Sequence, residues 1–149
     1  MSLYLSIEDL CSSWNYNNGF CYKYFGEFLT FPAAEHACHQ LDAEVASVHS
    51  QDENKFLKAL SLNNAIHFGL VVQTKMWLPK WTDETNLDYT NFRQDLYFES
   101  HRICVSTYNA GYMNWWYAPC TKLLPYICKK QAGGKTNSQT EISCISVLD

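Results

Sequence analysis

The chain is expected to fold as a single α+β domain. Two capped amphipathic helical segments end by about Leu62, and the apolar runs that follow are short, rich in β-branched residues and broken by turn formers. A third observation bounds the size: 149 residues with 47% apolar content support one hydrophobic core and leave little room for a second. Charged residues make up 17% and aromatic residues 15%, and the net charge is −4 with no lysine or arginine run. That balance gives no electrostatic support for nucleic acid or an anionic membrane as partner. No stretch approaches the roughly 20 apolar residues of a membrane-spanning helix, so membrane insertion is not expected. Nothing repeats at a solenoid period.

The elements follow in order. Asn15-Tyr16-Asn17-Asn18-Gly19 ends in Asn-Gly, a strong hairpin signal. Tyr22 to Phe28 reads as an aromatic-rich strand. Thr30 before Pro32 marks a helix N-terminus, since proline suits the first helical turn. Ala34, Cys38 and Leu41 at i, i+4 and i+7 give that helix its buried stripe. Val45 and Val48 suggest a short extended link. Ser50-Gln51-Asp52-Glu53 is a capping box, and Phe56, Leu57 and Leu60 supply the apolar face of the second helix. Beyond it, Phe68-Gly69-Leu70-Val71 reads as a buried strand and Trp81 to Thr85 as a turn. Ile103-Cys104-Val105 and Tyr126-Ile127-Cys128 are strand-like. Asn109-Ala110-Gly111 reads as a turn leading into Tyr112 to Trp116. Gln131 to Thr140 is rich in Gly, Ser, Asn and Lys and is expected to be a flexible tail, while Ile142 to Leu148 is apolar yet too short to fold alone.

Seven cysteines set the redox argument. No two share the C-x-x-C spacing of zinc ribbons and thioredoxin-like sites. His36 and His39 flank Cys38, but neighbours so close on a helix do not converge on one tetrahedral ion; helix surface around one buried sulfur is the plain reading. Six cysteines precede Gln131 and Cys144 stands apart. Three disulfides and one spare thiol are therefore expected, which implies an oxidising, extracellular compartment. Met1 to Leu10 contain Glu8 and Asp9 and lack a basic start and an apolar stretch, so they do not read as a signal peptide. Either that methionine is artificial or the native start lies upstream.

Several of these segments occur in the order of one known family. Cys11-Ser12-Ser13-Trp14 with Gly19-Phe20-Cys21-Tyr22 resembles the N-terminal hairpin of the long form of the C-type lectin-like domain. Ala34 to Leu41 resembles its first helix, and Val45 to Ser50 with Glu53-Asn54 the approach to its second. His67-Phe68-Gly69-Leu70 stands where the family has W-I-G-L. Trp81-Thr82-Asp83-Glu84-Thr85 and Asp88-Tyr89-Thr90-Asn91-Phe92 are similar to its W-x-D-G-x…Y-x-N-W segment, and Cys104, Pro119-Cys120 and Tyr126-Ile127-Cys128 match its cysteine landmarks. The resemblance implies two helices with small antiparallel sheets, a long loop region and three disulfides, paired Cys11–Cys21, Cys38–Cys128 and Cys104–Cys120. It places a C-type lectin-like domain over 11–130, an extension over 1–10 and a flexible tail over 131–149.

Calcium-dependent members hold the ion with an E-P-N or Q-P-D triplet, an acidic residue before the third-disulfide cysteine, and the N-D of W-N-D. Calcium takes about 6–8 oxygen ligands, several of them anionic. Here the triplet falls at Gln94-Asp95-Leu96, the acidic position is Arg102, and W-N-D falls on Trp115-Trp116-Tyr117. Shifting the register to recruit Asp95 and Glu99 recovers two carboxylates at most. No metal site and no cofactor are expected. Trp81 and Trp115 are expected in the core, whereas Trp116 and Tyr117 replace solvent-facing ligands and, with Gln94, Asp95, Glu99 and Arg102, make the candidate ligand-binding set.

The function implied is a secreted, non-enzymatic recognition module, carbohydrate-binding and calcium-independent, with a role in innate immunity as the family-level expectation. The alternative is a calcium-independent module for an extracellular protein ligand. No G-x-S-x-G, H-E-x-x-H or phosphate-cradling glycine loop appears, and the five histidines do not pair with a nucleophile at a recognisable spacing. Cys144 is read as a bystander, as the start of a further module, or as the link in a covalent dimer.

Overall fold

The structure is a computed structural model that describes residues 10–72, 78–92, 103–107 and 114–133. Its elements are β1 (Asn15–Asn17), β2 (Phe20–Leu29), α1 (Phe31–His39), β3 (Glu44–Val45), α2 (Gln51–Leu60), β4 (His67–Val72), β5 (Pro79–Trp81), β6 (Ile103–Thr107), β7 (Trp115–Pro119) and β8 (Leu124–Gln131). This is the expected α+β arrangement, with both helices before β4. The expected antiparallel pairings run β1-β2-β8 and β4-β6-β7, with β3 on β8 and β5 on β4. A single parallel contact between β4 and β8, His67 opposite Tyr126, joins them into one eight-stranded sheet.

Local chemistry explains the edges of these elements. Asn18 and Gly19 both have left-handed backbones (φ 49° and 90°), as a tight two-residue hairpin between right-twisted strands requires. Thr30 caps α1 by accepting from the Ala33 N–H at 3.3 Å, and Ser50 caps α2 by accepting from the Glu53 N–H at 3.0 Å. The capping box over Ser50–Glu53 closes one residue early: Glu53 accepts from the His49 N–H at 2.8 Å. Leu41 departs from expectation. α1 ends at His39, so the i+7 position has left the helix; the chain turns at Asp42 (φ 54°) and Leu41 is 42% exposed.

Pleating sorts the apolar side chains into two cores on opposite faces of the sheet. Phe68 and Leu70 of β4 and Ile127 of β8 join Leu57 of α2, Trp81 and Trp115. Val71, Tyr126 and Cys128 join Phe31, Ala34 and Cys38 of α1. Gly69 lies where β4 approaches the link after β3; a Cβ there would sit 2.6 Å from the Val45 carbonyl oxygen and 2.9 Å from Thr82 Oγ1.

The disulfides pair Cys11 with Cys21, Cys38 with Cys128 and Cys104 with Cys120. The second spans 90 residues and ties α1 to β8, a closure worth about 4–5 kcal/mol in the chain-entropy model. The third joins β6 to the end of β7, the strand that carries the first part of the candidate site.

Candidate functional site

β7 presents Trp115, Trp116 and Tyr117 in succession. Trp115 is fully buried; its Nε1–H donates to Asn54 Oδ1 at 2.9 Å, and its ring meets Phe68, Trp81, Tyr89 and Phe92 with centroids 5.1–5.7 Å apart. Trp81 is equally buried, so both tryptophans expected in the core are there. Tyr117 lies on the same side of the pleat as Trp115 and stacks on Phe92, with centroids 4.9 Å apart and planes 21° from parallel. Burial pushes its phenol up from the ordinary tyrosine value. Trp116 points to the opposite side of the strand. Both residues are half-buried rather than open to solvent, and the pleat keeps them from forming one platform.

An indole and a phenol stand at these two positions, and the phenol ring is committed to Phe92. Neither offers the amide or carboxylate oxygen that calcium coordination draws on, so this half of the cradle does not fit the ion. Gln94, Asp95, Glu99, Arg102 and Cys144 lie outside the described residues, as does the turn expected at Asn109–Gly111. Among the described residues, no three His, Cys, Asp or Glu side chains form a group that could hold a metal ion.

The structure also assembles a polar network that residue-by-residue reading missed. Lys129 Nζ, from buried β8, lies 2.6 Å from Glu53 Oε2, 3.2 Å from the Ser47 carbonyl and 3.4 Å from Ser47 Oγ. Tyr22 donates its hydroxyl to the same Glu53 oxygen, and burial, reinforced by that carboxylate, pushes the phenol far above its usual range. Ser47 Oγ donates to Asp83 Oδ2 at 2.5 Å. His49 places Nε2 3.1 Å from Ser47 Oγ and Nδ1 2.7 Å from Asp88 Oδ1. The hydrogen bond from His49 holds the Asp88 carboxyl below its ordinary value.

Ser47, His49 and Asp88 thus have the spacing of a serine–histidine–aspartate relay, which the sequence spacing does not suggest. The chemistry does not follow. Ser47 is 1% exposed, so no acyl group reaches its oxygen, and its hydroxyl proton already points to Asp83. The network works as a fastener between the approach to α2, the Asp83 turn, the segment at Asp88 and β8. Its one legible sign was a lysine following the buried run Leu124–Cys128. Beside it opens a groove of about 440 Å³ whose walls include Phe20, Leu41, Asp42, Glu44, Asp83 and Lys129. Lys129 is occupied from below by Glu53 and Ser47, Asp83 by Ser47 and Thr85, and Glu44 by His39 at 2.8 Å.

A family model described as the Lectin C-type domain matches residues 27–130. A "C-type lectin galactose-binding isoform" of Pseudechis australis is 30% identical over 142 residues, 87% of this chain and 90% of that protein. The "Snaclec botrocetin subunit beta" of Bothrops jararaca is 28% identical over 130 residues, 83% of this chain and all of that one. Among solved structures, a calcium-independent type II antifreeze protein superimposes with a TM-score of 0.76 at 24% identity, covering 81% of this chain and 93% of that one. At that identity the likeness establishes the fold alone.

Proposed function

The chain belongs to the C-type lectin domain family, and from that premise we propose that it is an extracellular, non-enzymatic recognition module that binds carbohydrate without the usual calcium site. The observation that carries the reading is Tyr117. It replaces the last residue of W-N-D with a ring stacked on Phe92, and a half-buried aromatic pair of this kind offers a face or edge to the C–H surface of a sugar. By sequence register, Arg102 stands in place of the acidic ligand and Leu96 in place of the triplet's last oxygen ligand. The similarity to a protein named as galactose-binding supports a sugar as ligand. Three disulfides support an oxidising, extracellular setting.

The remaining candidates, Gln94, Asp95, Glu99 and Arg102, belong to this proposal as polar ligand contacts. Residues 11–130 form the recognition unit in this reading, with 1–10 and 131–149 as extension and tail. A second reading takes a protein as the ligand; Trp116 and Tyr117 favour it, because large half-buried aromatics anchor protein interfaces. The similarity to a protein named as a subunit supports an assembly, with Cys144 as the thiol for a covalent dimer.

A glycan array probed in the presence of chelator tests the proposal. Reproducible hits that fall at least tenfold with Tyr117→Ala support it. A blank array together with capture of a defined extracellular protein supports the second reading. A calcium titration that raises the melting temperature, reversed by chelator and coupled to sugar binding, overturns calcium independence.

A further inference from the structure

We propose that His67 makes this domain acid-labile: it is a clasp in a buried seam of the sheet, and the seam is weakened when its ring takes a second proton. It lies at the single residue pair where β4 meets β8, the seam between the two halves of the sheet, and is 1% exposed. Its Nε2 is 2.7 Å from the Leu29 carbonyl oxygen at the end of β2. A carbonyl only accepts, so Nε2 carries the proton and Nδ1 is left with its lone pair. Nδ1 is buried and makes no hydrogen bond.

Groups from α1, β6, β8 and the turn before β8 face the ring. From the start of α1 the Phe31 ring meets the imidazole edge-on, with centroids 5.9 Å apart. From β6 the residue opposite is Ser106, and from β8 it is Tyr126. From the turn before β8 comes Lys122; the Leu29 carbonyl and the Lys122 backbone both ease protonation, while the Lys122 ammonium opposes it. No carboxylate among the described residues acts on the ring. Burial dominates and holds His67 below the ordinary histidine value. The unfolded chain therefore takes up the proton more readily than the folded one. The stabilisation is complete above about pH 6.5 and is lost as pH falls below it.

The first contacts exposed to that loss lie beside the clasp. The Phe31 N–H donates to the Cys120 carbonyl at 2.9 Å, and the Lys122 N–H to the Pro119 carbonyl at 3.1 Å. Pro119 closes β7, so loosening there reaches the strand that carries Trp116 and Tyr117. That consequence for ligand binding rests on the function proposed above; acid lability itself does not.

Thermal unfolding of the full chain at pH 7.5 and pH 5.0, in wild type and His67→Gln, tests the clasp. Glutamine keeps a donor for Leu29 but cannot ionise. Wild type is expected to lose more of its melting temperature than the variant over this interval. Equal losses in two folded proteins overturn the proposal. If the variant does not fold, an NMR titration of the wild-type imidazole decides: a midpoint below 6.5 supports the clasp, and one at or above 6.5 refutes it. Faster exchange of the Phe31 and Lys122 amides at pH 5.0, corrected for intrinsic rates, places the loosening. Absence of glycan binding at both pH values sinks the sugar reading and leaves the clasp standing, whereas a pH slope unchanged by the substitution sinks the clasp alone.

Discussion

Replacing Lys129 with methionine probes the buried fastener most directly. The methylene stem is largely kept, and what disappears is an ammonium 2.6 Å from Glu53 Oε2 and within 3.4 Å of both Ser47 oxygens. The two side chains are only 5% and 10% exposed, so the Glu53 carboxylate is left in a nearly dry site with the Tyr22 hydroxyl and the His49 N–H as its remaining donors. Two neutral donors do not replace a counter-ion. Removing one partner of a buried pair typically costs about 3–5 kcal/mol, because the other charge is stranded. The cation also faces the rings of Phe20 at 4.3 Å and Tyr22 at 5.6 Å, and those contacts go with it.

For a domain of this size the melting temperature should fall by roughly 10–20 °C. Urea unfolding of wild type, Lys129→Met, Glu53→Gln and the double variant completes a cycle. The double variant should recover more than half of the loss from Lys129→Met, because the amide that replaces the carboxylate carries no charge to strand. A single-variant cost below about 1 kcal/mol, or additive effects in the cycle, would show that the pair is solvated and that the reasoning is wrong.

Other contacts support three more tests. Gly69→Ala should cost about 1–3 kcal/mol by urea unfolding, since its Cβ would lie 2.6 Å from the Val45 carbonyl and the backbone must shift to admit it; a neutral result would mean that β4 has room to move. Trp115→Phe should lose about 1–3 kcal/mol by urea unfolding, since it removes the indole donor to Asn54 Oδ1; an unchanged stability would show that this bond contributes nothing. Asp88 titrates low because His49 holds its ionised form, so that contribution to stability is present above the ordinary aspartate value and is lost as pH falls through the lowered one. In His49→Ala, NMR titration should move Asp88 up toward the ordinary aspartate value; an unchanged midpoint would remove His49 as the cause.

Local chemistry made much of the fold legible in the sequence. Asn18-Gly19, Thr30 with Pro32, and Ser50 with Glu53 act within a few residues of themselves, and the structure has a hairpin or a helix start at each. The cysteine count and the order of motifs led to the disulfide-linked architecture in the same way, because chain order is information a sequence carries. Leu41 marks the limit: helical spacing describes a face only while the helix lasts, and α1 stops at His39.

Tertiary structure alone decided what meets across the fold. Glu53 and Lys129 are 76 residues apart, and His49 and Asp88 are 39 apart; no local pattern encodes such meetings, because they arise where separate strands and loops converge on one buried point. Pleating alone sends Trp116 and Tyr117, adjacent in sequence, to opposite sides of β7; tertiary structure decided which side faces Phe92. The sequence named the aromatic side chains that replace the family's oxygen ligands; packing against Phe92 determined which of them joins the inner cluster and which turns away.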